Sequence, residues 1–196
     1  MRPRDPIKAE NIRRKALEIL VKEGLDGFSM QKLARAAKVS PATLYIHYQD
    51  RDDLLFQLYR EQMEALGATV LEGFDPGAPF AEGLAVQWRN RIRFYRTHPL
   101  EWCFLKQVMH SSLHELYLER AGRPIQEPMG RFVTQAVERG DLTDFGVGAE
   151  WRTQYPYEAF WALAFAPLYA LLDKGVDPDS PMLAATFQRV LRALKP

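Results

Sequence analysis

The sequence is poor in the features on which several protein classes depend. Its 196 residues include a single cysteine, Cys103, which excludes an intrachain disulfide and a cysteine-based zinc cage. No run of about 18 apolar residues is present, so no membrane-spanning helix is expected. The polar residues 1–10 lack the apolar core of a secretory signal. Together these absences predict a cytoplasmic protein.

The motifs of common enzyme classes are also missing. The chain has no glycine-rich phosphate loop, no nucleophile elbow and no zinc-protease motif. Cys103 lies in a Trp-Cys-Phe-Leu run, which is typical of a core. His110 and His114 are spaced to share a helix face and hold a metal, but no further ligand is evident in the local motif. We therefore expect no catalytic residue, no metal and no cofactor.

What the sequence does contain is helical periodicity along most of its length. Apolar residues recur three and four positions apart, and no convincing period-2 strand is present. The pattern predicts an all-α protein with about nine helices. The predicted helices cover residues 8–24, 29–37, 41–47, 50–72, 80–98, 100–121, 125–139, 154–174 and 181–195.

Charge is distributed unevenly between the two ends of the chain. Residues 1–48 hold ten Lys/Arg and five Asp/Glu, a net charge of +5. The remaining residues hold sixteen Lys/Arg and twenty Asp/Glu, a net charge of −4. A basic front segment favours contact with a polyanion, although many protein surfaces carry this charge without one.

Two short helices separated by a tight turn follow the first helix. Ser29 is placed to cap the second helix, and Ser40 followed by Pro41 is a strong start signal for the third. A short helix after such a turn is typical of a helix-turn-helix, in which the last helix enters the major groove of DNA.

The third predicted helix has one apolar and one polar face. Leu44 and Tyr48 are expected to face inward with Val39, which turns Thr43 and Tyr45 outward. A threonine hydroxyl and methyl can each meet a base edge, and tyrosine can bond a phosphate or pack on a thymine methyl.

Residues 27–48, with the helix before them and residues 49–55 after them, resemble the signature of the TetR (tetracycline-repressor) family. The resemblance covers about residues 8–60, and the remainder resembles the family only in helical character and length. Two positions depart from the family pattern. Ala42 replaces a common glycine, and Gln49 stands where lysine is frequent, which leaves the operator sequence open.

The resemblance implies a set of DNA contacts from the second and third helices and the start of the fourth. These residues are Ser29, Gln31, Ser40, Pro41, Ala42, Thr43, Tyr45, His47 and Arg51. Each has a simpler alternative. The serines are caps in any case, Tyr45 can be a packing residue, and His47 can be an ordinary surface histidine. Arg51 can instead pair with nearby aspartates.

The resemblance also implies two domains and a function. Residues 1–50 are expected to form the DNA-binding domain and residues 51–196 a ligand-binding and dimerisation domain, with helix four (about 50–72) connecting them. The expected protein is a regulator, by family default a repressor, that releases a palindromic operator on binding a small, largely apolar molecule. A helical adaptor and a nonspecific DNA-binding protein without an effector are the alternatives.

The resemblance also implies that a homodimer forms through the last two helices and that a ligand pocket lies among the aromatic-rich helices after helix four. The interface candidates are Tyr157, Leu168, Leu172, Phe187 and Leu191, which alternatively close the core of the monomer. The pocket candidates are Trp102, Leu105, Met109 and Trp161. Aromatic stripes of this kind are more often core than ligand site.

Overall fold

The computed structural model describes residues 6–109, 111–144 and 154–196, and every regular element in these ranges is an α-helix. The predicted all-α class is therefore confirmed. In chain order the helices are α1 (Pro6–Gly27), α2 (Met30–Ala37), α3 (Pro41–Tyr45), α4 (Arg51–Val70), α5 (Phe80–Thr97), α6 (Pro99–Val108), α7 (Ser112–Ala121), α8 (Gln126–Glu138), α9 (Gln154–Asp173) and α10 (Pro181–Leu194). Within the described ranges, no helix is both long and apolar enough to cross a membrane.

The helix predicted over residues 100–121 is two helices, which raises the number in the described residues to ten. Helix α6 ends at Val108 and α7 begins at Ser112. Between them Ser111 has an extended backbone (φ −116°, ψ 163°), and its hydroxyl donates to the carbonyl of Val108 at 2.7 Å. Serine ends the helix here because its side chain competes with the backbone for that carbonyl.

Serine caps begin the two helices of the predicted helix-turn-helix. The Ser29 hydroxyl accepts a hydrogen bond from the Lys32 amide at 3.3 Å, and the Ser40 hydroxyl accepts one from the Thr43 amide at 3.2 Å. Pro41 occupies the first turn of α3, where its missing N–H leaves no helical bond unmade. Both predicted helix starts are confirmed.

Two left-handed residues shape the ends of α1 and α2. Gly24 has φ 73° and interrupts α1 where the sequence predicts its end, although helical backbone resumes as far as Gly27. Lys38 has φ 55° and closes α2, and the following Val39 amide donates to the Ala34 carbonyl at 3.0 Å. This closure turns the chain sharply toward α3.

The chain divides into two compact units. Unit 1 comprises residues 1–66 and 98–122, and unit 2 comprises residues 67–97 and 123–196. Helices α6 and α7 thus belong with the N-terminal helices. The predicted functional boundary after residue 50 remains a prediction.

Each unit has its own apolar core. In unit 1 the fully buried side chains include Ile12, Leu20, Leu33, Leu44, Tyr59 and Phe104. In unit 2 they include Phe80, Phe94, Phe132, Phe160, Phe165 and Leu168. Removing these side chains from water is the main stabilising contribution to each unit.

Two helical glycines in unit 2 give a matched pair of stability predictions. A Cβ added at Gly83 in α5 would overlap the Phe132 ring, whereas one at Gly130 in α8 would meet no heavy atom within 4 Å. We expect Gly83→Ala to lower the free energy of unfolding by about 1–3 kcal/mol, because the ring must move. Gly130→Ala should raise it by about 0.5–1 kcal/mol, since alanine favours the helix.

Urea denaturation of both variants measures the two effects in one background. A Gly83→Ala protein as stable as Gly130→Ala would contradict the close packing of α5 against Phe132.

Candidate DNA-binding site and ligand-binding helices

Helix α3 depends on one buried side chain for its position. It has only five residues, and an isolated helix of this length is unstable in water. Leu44 is 0% exposed, whereas the next residues, Tyr45 and Ile46, are 55% and 69% exposed. Because Leu44 holds one side of α3 in the core of unit 1, the opposite side faces solvent.

The start of α3 carries a pair of bonded hydroxyls. Ser40 Oγ and Thr43 Oγ1 lie 2.9 Å apart, and Ser40 Oγ also accepts the Thr43 amide. Two hydroxyl hydrogens are present, and the bond between the side chains uses one. The other is available to a phosphate oxygen or a base acceptor. The neighbouring Pro41 and Ala42 are exposed.

The remaining predicted contacts also lie in unit 1. Gln31 is exposed on α2, and Ser29 is half-buried at its cap. His47 is half-buried beyond α3, with its ring centroid 6.3 Å from that of the buried Tyr48. Contact between any of these residues and DNA stays a prediction.

Arg51 has contacts that the sequence did not indicate. Its guanidinium donates to the carbonyl of Leu25 at 2.6 Å, to that of Phe28 at 3.4 Å and to Asp52 at 3.0 Å. These bonds tie the start of α4 to the end of α1. The geometry favours the alternative in which Arg51 pairs with a nearby aspartate. Its bonds to the two carbonyls also position the start of α4.

The sequence prediction omitted three exposed side chains of the same region. Arg35 and Lys38 are exposed and form no ion pair in the part of the chain that the structure describes. Lys32, by contrast, donates to Glu23 at 2.6 Å, which lowers the pKa of that carboxyl. Ile46 is an apolar residue at the exposed end of α3. The net positive charge of residues 1–48 is the feature of the sequence that could have pointed to Arg35 and Lys38.

The four pocket candidates are divided between the units. Trp102 and Leu105 are buried in α6 and Met109 is half-buried just after it, all in unit 1. Trp161 is half-buried in α9 of unit 2, with its ring 4.3 Å from the guanidinium carbon of Arg91. A ligand role for these four residues remains a prediction.

The predicted dimer contacts need a correction. Leu168 and Leu172 are 0% exposed within the single chain, so they close the core of unit 2 and offer no surface to a partner. Helical periodicity places them on the apolar face of α9 but does not tell which neighbour covers that face. Phe187 and Leu191 on α10 are half-buried. The side chain of Tyr157 lies outside the described residues.

The exposed apolar surface of α9 and α10 lies at other positions. Leu163 is 49% exposed on α9 and Met182 is 51% exposed on α10. The neighbouring Ala166 and Ala170 on α9 and Ala185 on α10 are also exposed. These side chains are available to a second copy of the chain.

The expected absence of a metal at His110 and His114 stays a prediction. His110 lies outside the described residues, and His114 Nδ1 is 2.7 Å from the hydroxyl of Tyr59. Burial raises the pKa of that tyrosine well above its usual range. Across the described ranges, no three His, Cys, Asp or Glu side chains are grouped as metal ligands.

Comparison with known proteins identifies the class of the N-terminal helices. Residues 12–58 match the model of "Bacterial regulatory proteins, tetR family". This range runs from α1 into α4 and includes the whole helix-turn-helix. The fold and this match define a helix-turn-helix DNA-binding domain followed by further helices.

The match shows that residues 12–58 form a DNA-binding domain of the tetR type. A curated HTH-type transcriptional regulator from Haemophilus influenzae is 33% identical over 99 residues. The aligned segment covers 50% of this chain and 53% of that relative, so it spans about half the length of each.

Solved structures share the fold over the full length. A TetR-family transcriptional regulator from Haemophilus influenzae superposes with a TM-score of 0.75 at 23% identity, covering 100% of both chains. A TetR-family regulator from Marinobacter aquaeolei superposes with a TM-score of 0.76 at 22% identity, covering 99% of this chain and 98% of that one. The regulator FadR from Bacillus subtilis, solved with stearoyl-CoA, superposes with a TM-score of 0.69 at 18% identity. The match covers 94% of this chain and 96% of FadR.

The contacts of Arg51 predict the phenotype of its removal. Arg51→Ala should lower the melting temperature, because the carbonyls of Leu25 and Phe28 lose their donor. The salt slope of DNA binding should stay unchanged, whereas loss of a phosphate contact reduces that slope by about 1. Fluorescence anisotropy at several salt concentrations and a thermal melt measure both quantities.

The exposed Arg35 is the matched control. Arg35→Ala should reduce the salt slope and leave the melting temperature unchanged. A smaller slope with unchanged stability in Arg51→Ala would instead show that Arg51 holds the DNA backbone.

Proposed function

We propose that this protein is a cytoplasmic transcriptional regulator that binds a palindromic operator as a homodimer. A small, largely apolar effector releases it, and by family default it represses. The observation that carries the proposal is the outward face of α3, which unit 1 presents to solvent. The match of residues 12–58 to the tetR-family model supports the same conclusion.

Direct reading of bases falls to α3 in this proposal. A major groove about 12 Å wide admits one helix, and specificity comes from side chains that reach base edges. Thr43 offers a hydroxyl and a methyl group, and Tyr45 offers an exposed aromatic ring with a hydroxyl. Ile46 adds an apolar contact suited to a thymine methyl. Ser29, Ser40, His47, Arg35 and Lys38 then contact the phosphate backbone, while Gln31 reaches a base edge from α2.

A homodimer supplies two recognition helices. Two half-sites one helical turn apart, about 34–36 Å, or a multiple of that distance, double the contacts to DNA and require a palindrome. The exposed apolar residues of α9 and α10, above all Leu163 and Met182, are the interface in this proposal. Phe187 and Leu191 lie at its edge.

An effector regulates such a protein only if it binds the DNA-bound and free conformations with different affinities. A coupling of about 1–3 kcal/mol is typical of allosteric proteins. The FadR neighbour was solved with stearoyl-CoA, which shows that a protein of this fold holds a ligand with a long apolar body. That precedent supports a small-molecule effector here, with Trp161 among the residues near it.

A helical adaptor that binds another protein is the second candidate function. The retained basic charge of residues 1–48 and the exposed tip of α3 both speak against it, because an adaptor needs neither. A protein that coats DNA nonspecifically also keeps the basic charge. It would bind scrambled and selected duplexes equally well.

Selection of duplex DNA from a random pool tests the DNA-binding proposal. We expect an inverted repeat, bound far more tightly than a scrambled duplex. Tyr45→Ala and Thr43→Val should each weaken binding to it by about 1–3 kcal/mol, because each removes a base-facing group. Binding to the scrambled duplex should not change. Anisotropy titrations give both affinities.

Tyr45→Phe is the control that separates ring from hydroxyl, and circular dichroism checks the fold. Equal losses on selected and scrambled DNA would refute base reading by α3. No enriched sequence, with or without pooled metabolites, would favour the adaptor.

The dimer proposal predicts the effect of a charge on α9 or α10. Leu163→Glu and Met182→Glu should each weaken self-association by at least about tenfold, because an unpaired carboxylate is costly in an apolar interface. Sedimentation velocity over a concentration series measures the dissociation constant. Arg131→Glu, at an exposed position on α8, is the control. Unchanged association of both variants would rule out this surface.

A further inference from the structure

An arginine is buried in unit 2 without a carboxylate partner. Arg91 on α5 is 1% exposed, and among the described residues it forms no ion pair. Its guanidinium carbon lies 4.3 Å from the ring centroid of Trp161 and 4.0 Å from that of Phe165. The charge is thus held against two aromatic rings of α9.

The hydrogen bonds of this guanidinium leave one nitrogen unused. Its Nε donates to the Tyr169 hydroxyl at 3.0 Å, and one terminal nitrogen donates to the backbone and side-chain oxygens of Gln87. The other terminal nitrogen is buried and has no acceptor among the described residues. Two N–H groups of a cation are therefore buried and unsatisfied, which costs free energy that a bound acceptor recovers.

The surrounding bonds keep the guanidinium in this position. Gln87 is 0% exposed, and its amide nitrogen donates to the Val70 carbonyl at 2.7 Å, which turns its amide oxygen toward Arg91. Burial raises the pKa of Tyr169, so its hydroxyl stays neutral and does not balance the charge. In the part of the chain that the structure describes, the site is built around a cation and supplies no anion.

A second buried donor lies on the same face of α5. The indole nitrogen of Trp88, one turn before Arg91, is buried and also lacks an acceptor. The rings of Trp88 and Phe165 are 6.3 Å apart, and Phe165 is the ring that Arg91 stacks on. The side chains of Trp88 and Arg91 therefore border the same phenylalanine, and among the described residues neither unused donor has an acceptor.

We propose that Arg91, with the indole N–H of Trp88, binds the oxyanion of an organic acid whose apolar body packs among the α5 and α9 aromatics. This inference rests on the proposed function, because it assigns the effector to a chemical class: an amphiphilic molecule that ends in a carboxylate or phosphate. Trp161 and Tyr169 are only half-buried, so the guanidinium lies one layer beneath the surface of unit 2. Charge-assisted bonds to arginine are among the strongest that such a group makes.

The test compares three probes that share an eight-carbon chain: octanoate, octyl phosphate and 1-octanol. We expect at least one of the two anions to raise the melting temperature of the full chain and to bind in calorimetry, and 1-octanol to do neither. The anion that binds more tightly identifies the oxyanion as carboxylate or phosphate. Equal responses to 1-octanol, or no response to either anion, would overturn the proposal.

Arg91→Met tests the residue itself. It should weaken anion binding at least tenfold, whereas Arg89→Met, at an exposed position on the same helix, should not. A lower melting temperature with unchanged anion binding would show that Arg91 is only structural. Trp88→Phe removes one N–H and should weaken anion binding severalfold. This variant provides the test if Arg91→Met does not fold.

Operator release is followed separately with the selected duplex. Release by 1-octanol but not by the anions would leave the regulator intact and refute the oxyanion site. Anion binding that depends on Arg91 but releases no DNA would keep the site and refute its role as the effector site.

Discussion

The burial of Leu44 is the interaction on which the DNA-binding surface depends. A five-residue helix has no stability of its own, so α3 exists because this side chain is buried in the core of unit 1. The left-handed closure at Lys38 and the serine cap at Ser40 fix the direction in which the chain enters α3. As a consequence of that packing Tyr45 faces outward, and Thr43 beside it is half-buried.

Local chemistry explains why the N-terminal helices could be predicted so closely. Caps, proline at a first turn and a glycine with positive φ act within a few residues, and Ser29, Ser40, Pro41 and Gly24 all lie where the sequence placed them. The break between α6 and α7 is also local, but it was missed. The Ser111 hydroxyl bonds to a backbone carbonyl and ends α6, although the helical apolar pattern of the sequence continues across the break.

Long-range contacts set the limit of prediction for the remaining features. Arg51 bonds to carbonyls more than twenty residues away in sequence, and Arg91 is buried by aromatics some seventy residues further on. Periodicity assigns Leu168 to an apolar face without telling whether a core or a partner covers it. These three residues are also where function and packing are hardest to separate, because their side chains suit either role.

In the homodimer proposed above, two copies of α3 read one face of a duplex at a fixed spacing. Hydroxyl-radical footprinting of the purified protein on a selected duplex tests it most directly. We expect two protected patches on the same face, with centres about 10 base pairs apart or a multiple of that. A continuous footprint that ignores sequence would contradict it.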